Sequence, residues 1–202
     1  MLVLGLTGGI GSGTSTVSAL LEQKGAVIID ADRIVRELQQ PGEPVFEAMV
    51  DAFGEGIVAA DGTLDRQAVA DLVFGDEEKL ATLNGIVHPA VGVRMTEQLA
   101  ALADTDKVVV LDVPLLVEGK GRYDTAGTIV VDLAPDLAVQ RLVEHRGFTE
   151  SDARARMARQ SSREDRLALA DVVIDNSGPV EDLASQVDEL WARIEDGEFT
   201  GP

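Results

Sequence analysis

Residues 8–15, Gly8-Gly9-Ile10-Gly11-Ser12-Gly13-Thr14-Ser15, place four glycines and three hydroxyls in eight positions directly after the apolar run 2–7. Glycines let a backbone wrap closely, so that successive N–H groups and a following helix N-terminus point at a phosphate chain. The spacing follows G-x-x-x-x-G-K-[ST] at every fixed position except one. Thr14 stands where a lysine would reach the β- and γ-phosphates, while Ser15 keeps the hydroxyl that would ligate Mg²⁺. The chemistry this spacing serves is nucleotide binding and phosphoryl transfer. The alternative is a tight glycine turn with only a packing role.

Acids fall where such chemistry would use them. Asp30-Ala31-Asp32 follows the apolar stretch 26–29. One of these carboxylates could accept the proton of a substrate hydroxyl, and the alternative is that Asp32 merely caps a helix starting at Arg33. Asp112 ends KVVVLD as an acid at a strand end, able to hold Mg²⁺ directly or through water. His88-Pro89 is open between a functional and a structural histidine. Asn176, after VVID, could read an adenine edge or simply form a turn. Trp191 reads as packing.

The elements that would position these groups follow from periodicity. Strands are expected at 2–7, 26–29, 107–113, 128–132 and 172–174. Helices are expected at 14–23, 34–38, 45–53, 65–74, 135–145 and 180–194, with a loop at 54–62. Residues 77–103 read as a helix bent or divided at Pro89, and Thr149 with Asp152 reads as a cap for another helix. Strands separated by helices imply a parallel sheet covered on both faces, an α/β fold. Ligands of such folds bind at the carboxyl ends of the strands, where Thr7, Asp30, Asp112, Asp132 and Asp175 fall. With no internal repeat and no linker, the expectation is one domain spanning 1–202.

Composition excludes several classes. The 202 residues are 45% hydrophobic and 26% charged, an ordinary globular balance. No apolar run reaches the roughly 18–20 residues of a membrane helix, and the 2–6 stretch is too short for a secretory leader. Cysteine is absent, so disulfides, thiol nucleophiles and cysteine metal sites are out, and a cytoplasmic setting is the simplest expectation. The net charge of −19 repels nucleic acid and anionic membranes, leaving small molecules as the expected partners. Yet residues 141–166 hold seven arginines against five acids. That island suits a local anion, because the arginine fork matches phosphate, or else it is a solvated face of helix pairs.

Together these pieces resemble the dephospho-CoA kinase family. The likeness runs in order through GLTGGIGSG at 5–13, DADRIVRE at 30–37, PGEPVF at 41–46, FGEGIVAADGTLDR at 53–66 and LNGIVHP at 83–89. It continues through LDVPLLVE at 111–118, QRLVEHRG at 140–147, ARQSSREDR at 158–166 and ADVVIDNSG at 170–178. The resemblance implies a P-loop kinase-like three-layer fold with a five-stranded parallel sheet. The nucleotide core would cover about 1–40 and 105–202, a helical CoA-side insertion about 41–104, and an arginine-rich lid about 141–166. It implies ATP-dependent phosphorylation of the ribose 3′-hydroxyl of dephospho-CoA, with Mg²⁺, by a monomer or weak homo-oligomer. By position, Asp32 would be the general base and Arg141 a catalytic lid residue. Gly9, Ile10, Gly11, Ser12, Gly13, Thr14, Ser15 and Thr16 would wrap the ATP phosphates, with Arg146 and Asn176 also on the nucleotide. Arg66, His88, Leu115, Leu116 and Glu118 would line the acceptor pocket, and Ser15 and Asp112 would serve the metal.

The departure from the family pattern is Thr14, whose short uncharged hydroxyl cannot follow charge onto a transferring phosphoryl group. Losing one such preorganised contact costs on the order of 3–4 kcal/mol. A lid arginine could supply the charge, or the chain could bind nucleotide or CoA with impaired catalysis. A kinase for another small hydroxyl acceptor is the further alternative.

Overall fold

The computed structural model describes residues 1–113 and 124–200. In chain order the elements are β1 (Leu2–Gly8), α1 (Thr14–Lys24), β2 (Val27–Asp30), α2 (Ala31–Leu38) and α3 (Pro44–Phe53), then a 3₁₀ turn (Glu55–Ile57). Next come α4 (Arg66–Val73), α5 (Glu77–Leu102), β3 (Val108–Asp112), β4 (Gly127–Asp132) and α6 (Pro135–Arg146). The chain closes with α7 (Glu150–Met157), α8 (Arg163–Leu167), β5 (Val172–Asp175) and α9 (Val180–Glu195). Two compact units result, Met1–Ile29 with Leu102–Pro202, and Asp30–Ala101.

The first unit is built on a five-stranded parallel sheet in the order β2-β3-β1-β4-β5, the α/β architecture expected. β1 is central, pairing Leu4 with Val110 of β3 and Leu6 with Ile129 of β4, while Val131 of β4 meets Ile174 of β5. Strands covered on both faces need apolar residues nearly throughout. Leu4, Leu6, Val110, Ile129, Val131 and Ile174 accordingly join Val17 and Leu21 of α1 in one core. Leu183, Val187, Leu190 and Ile194 form the matching stripe of α9, spaced to one helix face. Each such side chain, once buried, contributes about 1.5–3 kcal/mol. Trp191 packs against this core and donates to Glu195 at 2.9 Å, a packing residue as its position suggested. The order also sets where a ligand can sit. The chain leaves β1 toward β2 on one side and β4 toward β5 on the other, which opens a crevice beyond their carboxyl ends.

The second unit is helical. It spans Asp30–Ala101. α2 begins at Ala31, not 34, because the Asp30 carboxylate accepts the Arg33 N–H at 2.9 Å and caps the helix. Ile34 and Leu38 of α2 are buried, as are Val45, Phe46 and Met49 of α3. Within 54–62, read as loop, the 3₁₀ turn buries Ile57. α5 is not divided at Pro89. Val87, Val91 and Met95 are buried at four-residue spacing on both sides of it, so one continuous apolar stripe holds the helix through the lost hydrogen bond. Among the described residues, no helix is long and apolar enough to cross a membrane.

Candidate functional site

The loop between β1 and α1 has the shape its glycines imply. Ser12 N–H donates to the Gly9 carbonyl at 2.9 Å, and Thr16 N–H to that of Gly13 at 3.0 Å. The amides of Gly11, Gly13, Thr14 and Ser15 have no partner among the described residues, an array of donors at a helix start that suits a phosphate chain. Gly13 has φ of 95° and Gly11 of 80°, the left-handed region that glycine enters at little cost. A Cβ on Gly8 would collide with the Ser12 hydroxyl and lie 2.8 Å from the Val131 carbonyl. Ser12 is 2% exposed, and among the described residues its buried hydroxyl has no hydrogen-bond partner. Thr14 is half-buried, and Ser15 and Thr16 are exposed.

Three distant segments hold this loop. Asn176, 8% exposed, donates its amide to the Ser12 carbonyl at 2.7 Å, while its own N–H reaches the Asp132 carbonyl at 3.0 Å. It therefore braces the loop from beneath. α6 presses Ala138 and Leu142 against Gly11, each 3.1 Å from where a Cβ would sit. Gln160, between α7 and α8, accepts the Ile10 N–H at 2.8 Å, and the Ile10 side chain packs on the small cluster of Val139, Leu142 and Ala153. Thr149 caps α7 by accepting the Asp152 N–H at 3.1 Å, as expected.

The arginine island separates into both of its readings. Arg154 pairs with Glu150 and Asp136 in solvent, and Arg156 lies 4.9 Å over the Phe148 ring. These are surface contacts. Arg163 instead grips Asp132 at the end of β4 with two bonds, of 2.8 and 2.6 Å. These bonds, and then the charges of Arg163 and Arg166, hold the Asp132 carboxyl below the ordinary aspartate range. Arg166 donates to the Ser161 carbonyl at 2.5 Å, and its other terminal nitrogen is 2.9 Å from a Gly9 Cβ position. A cavity of about 390 Å³ lies between Gly9, Pro135, Gln160, Arg163 and Arg166. Arg141 is half-buried and Arg146 exposed, and neither side chain has a hydrogen bond or ion pair among the described residues. In the sequence, Arg163 and Arg166 stand only as members of the island and Asp132 only as a strand-end acid. The sequence carries no signal for Gln160.

Asp112 is buried at the end of β3 and accepts the Ser18 hydroxyl at 2.5 Å. Ser15 lies one turn before Ser18 on the same face of α1. An exposed hydroxyl and a buried carboxylate are thus offered along one helix face, both hard oxygen donors.

In the second unit, burial and then the Asp30 charge push the Asp32 carboxyl above the ordinary aspartate range, with Arg36 pulling it back. Asp32 follows the Asp30 cap in the first turn of α2. The cap is thus Asp30, not Asp32. Arg66 donates to the buried Gln39 side chain at 2.7 Å, and His88 is exposed on α5. Leu115, Leu116 and Glu118 lie outside the described residues.

A protein of Streptomyces avermitilis named dephospho-CoA kinase is 54% identical over 96% of this chain and 94% of its own length. A Thermus thermophilus crystal structure superposes with a TM-score of 0.81 at 34% identity, over 96% of this chain and 97% of that one. A Campylobacter jejuni structure titled dephospho-CoA kinase shares the fold, with a TM-score of 0.72 at 21% identity over 98% of both chains. The dephospho-CoA kinase family model matches residues 2–182, and the chain belongs to that family.

Proposed function

We propose that this chain transfers the γ-phosphoryl group of ATP to the ribose 3′-hydroxyl of dephospho-CoA, giving coenzyme A and ADP. The observation that carries this is the braced phosphate loop at the carboxyl end of β1, in a chain matched to the family over residues 2–182. The 3′ oxygen forms a bond to the γ-phosphorus, and the bond from that phosphorus to the oxygen bridging to the β-phosphate breaks. Its electron pair leaves with ADP. Asp32 takes the proton of the 3′-hydroxyl.

The loop amides hold the phosphates, and the arginines of α6 and α8 meet their charge. Ser15 and Asp112 fit Mg²⁺, since a hydroxyl and a carboxylate with phosphate oxygens and water make an ordinary oxygen shell. When bound, the ion neutralises charge on the β- and γ-phosphate oxygens. Arg66 and His88 are assigned to the acceptor side, with Leu115, Leu116 and Glu118. The reading gives a cytoplasmic enzyme, a monomer or weak homo-oligomer, whose partners are ATP and dephospho-CoA. Its test is ADP release with Mg-ATP and dephospho-CoA, together with detection of the 3′-phosphorylated product. ADP released with no such product would overturn the acceptor.

Two further results are expected. Arg141→Ala should weaken ATP binding about tenfold or more, the worth of one charge-assisted hydrogen bond, and titration with ATP would show unchanged affinity if Arg141 belonged only to the solvated face. The second concerns pH. A protonated Asp32 cannot accept a proton, so kcat falls as pH drops through its raised value, at a higher pH than an ordinary aspartate would give. Asp30→Asn keeps the capping oxygen and removes the neighbouring charge that raises Asp32. The acid limb of kcat should therefore move to lower pH, and a limb that stays in place would take Asp32 out of the base role.

A further inference from the structure

Arg66 opens α4 in the helical unit, and what holds its side chain is uncharged. Its Nη1 donates to the Gln39 side-chain oxygen at 2.7 Å. That side chain has no other hydrogen bond and no ion pair among the described residues. The other lysines and arginines between 30 and 101 differ, since Arg33, Arg36, Lys79 and Arg94 each pair with a carboxylate. Asp65, next to Arg66 in the chain, turns its carboxylate to the Gln67 and Ala68 N–H groups instead. The exposed guanidinium thus keeps its full charge and most of its N–H donors.

Gln39 is placed to fix it. It stands at the end of α2 and is 7% exposed, and a buried amide needs partners at both of its ends. A guanidinium only donates, so the Gln39 oxygen must face Arg66. The Gln39 nitrogen then turns inward to the sulfur of Met49, 3.7 Å away and fully buried. Burial fixes the amide, and the amide fixes one edge of the guanidinium. Asp32 lies in the first turn of this same helix, about two turns, or roughly 10 Å, from Gln39. α2 therefore carries Asp32 near one end and the hold on Arg66 at the other. A neutral anchor leaves the arginine fork ready for an anion, whereas a carboxylate there would compete with one.

We propose that Gln39 is a positioning residue for the acceptor: it presents the Arg66 guanidinium, its charge uncompensated, to the diphosphate of dephospho-CoA. This role rests on the acceptor reading above. It makes Gln39 act on acceptor binding only through Arg66.

The test is a double-mutant cycle of the parent chain, Gln39→Leu, Arg66→Ala and the combined variant. Each is followed by titration with dephospho-CoA alone, titration with ATP alone, turnover with both, and thermal melting. Arg66→Ala should weaken dephospho-CoA binding about tenfold or more, the worth of a charge-assisted hydrogen bond. Gln39→Leu should weaken it about three- to tenfold, because a freed side chain must be ordered again on binding. In the Arg66→Ala background the same change should cost less than about twofold, and ATP affinity should hold throughout. Equal losses with and without Arg66 would overturn the proposal and leave the kinase reading standing. Coupled losses of dephospho-CoA binding with no turnover in any of the four proteins would instead overturn phosphoryl transfer and keep the role of Gln39. Gln39→Glu guards against a Gln39→Leu that loses its fold. It keeps the size and the oxygen that faces Arg66 but adds a charge that pairs with the guanidinium. Its dephospho-CoA affinity should fall about tenfold. Parental affinity would overturn the proposal, since a merely structural Gln39 needs only that oxygen.

Discussion

Asp32→Asn is expected to lower kcat by about 10²–10⁴-fold, the range of a lost general base, while ATP affinity stays within a factor of a few. The two side chains have the same size and shape, but an amide cannot accept the 3′-hydroxyl proton. The helix start survives because the cap belongs to Asp30, whose carboxylate holds the Arg33 N–H at 2.9 Å. What α2 loses is one favourable charge near its N-terminus, worth about 0.3–1 kcal/mol, too little to unfold it. Steady-state kinetics beside ATP titration separates the outcomes. Parallel losses in kcat and ATP affinity would mean that Asp32 only organises the turn after β2. The raised carboxyl adds a second signature: the acid limb expected of the parent chain should vanish from the residual activity of Asp32→Asn.

Gly13→Ala should abolish measurable ATP binding and lower stability by about 2–5 kcal/mol. Two independent terms add. A side chain at φ of 95° costs roughly 1–2 kcal/mol. The new methyl would also collide with the Asn176 amide. Displacing that amide leaves the Ser12 carbonyl, now paired at 2.7 Å, buried without a donor, at roughly 1–3 kcal/mol. Denaturant unfolding measures the sum, and Asn176→Ala isolates the second term. If Gly13→Ala retained parental ATP affinity, the loop conformation would not be what holds phosphate.

Much of the fold was legible because it is written in contiguous residues. An apolar run ending in glycines is a buried strand leading to a turn whichever domain holds it, and β1 with its loop came out so. The same holds for Thr149, whose hydroxyl caps α7 three residues from its partner. Two boundaries differ from the sequence reading, one because of packing and one because of a local cap. Pro89 looked like a break, yet Val87, Val91 and Met95 keep one buried face across it. α2 starts early because Asp30, not Asp32, is the cap.

The sequence alone determined the chemistry on offer: a phosphate loop without its lysine, acids at strand ends, an arginine-rich segment, and an α/β alternation to carry them. These are local spacings, set by backbone conformations that a few adjacent residues dictate. The tertiary structure decided which of those groups meet. Asn176 reaches the loop across 164 positions of sequence and Gln160 across 150. Of the island's arginines, Arg163 turns to Asp132 and Arg166 to Gly9, whereas Arg154 faces solvent. No local spacing encodes those partners, because they are brought together by strand order and by the packing of helices on the sheet.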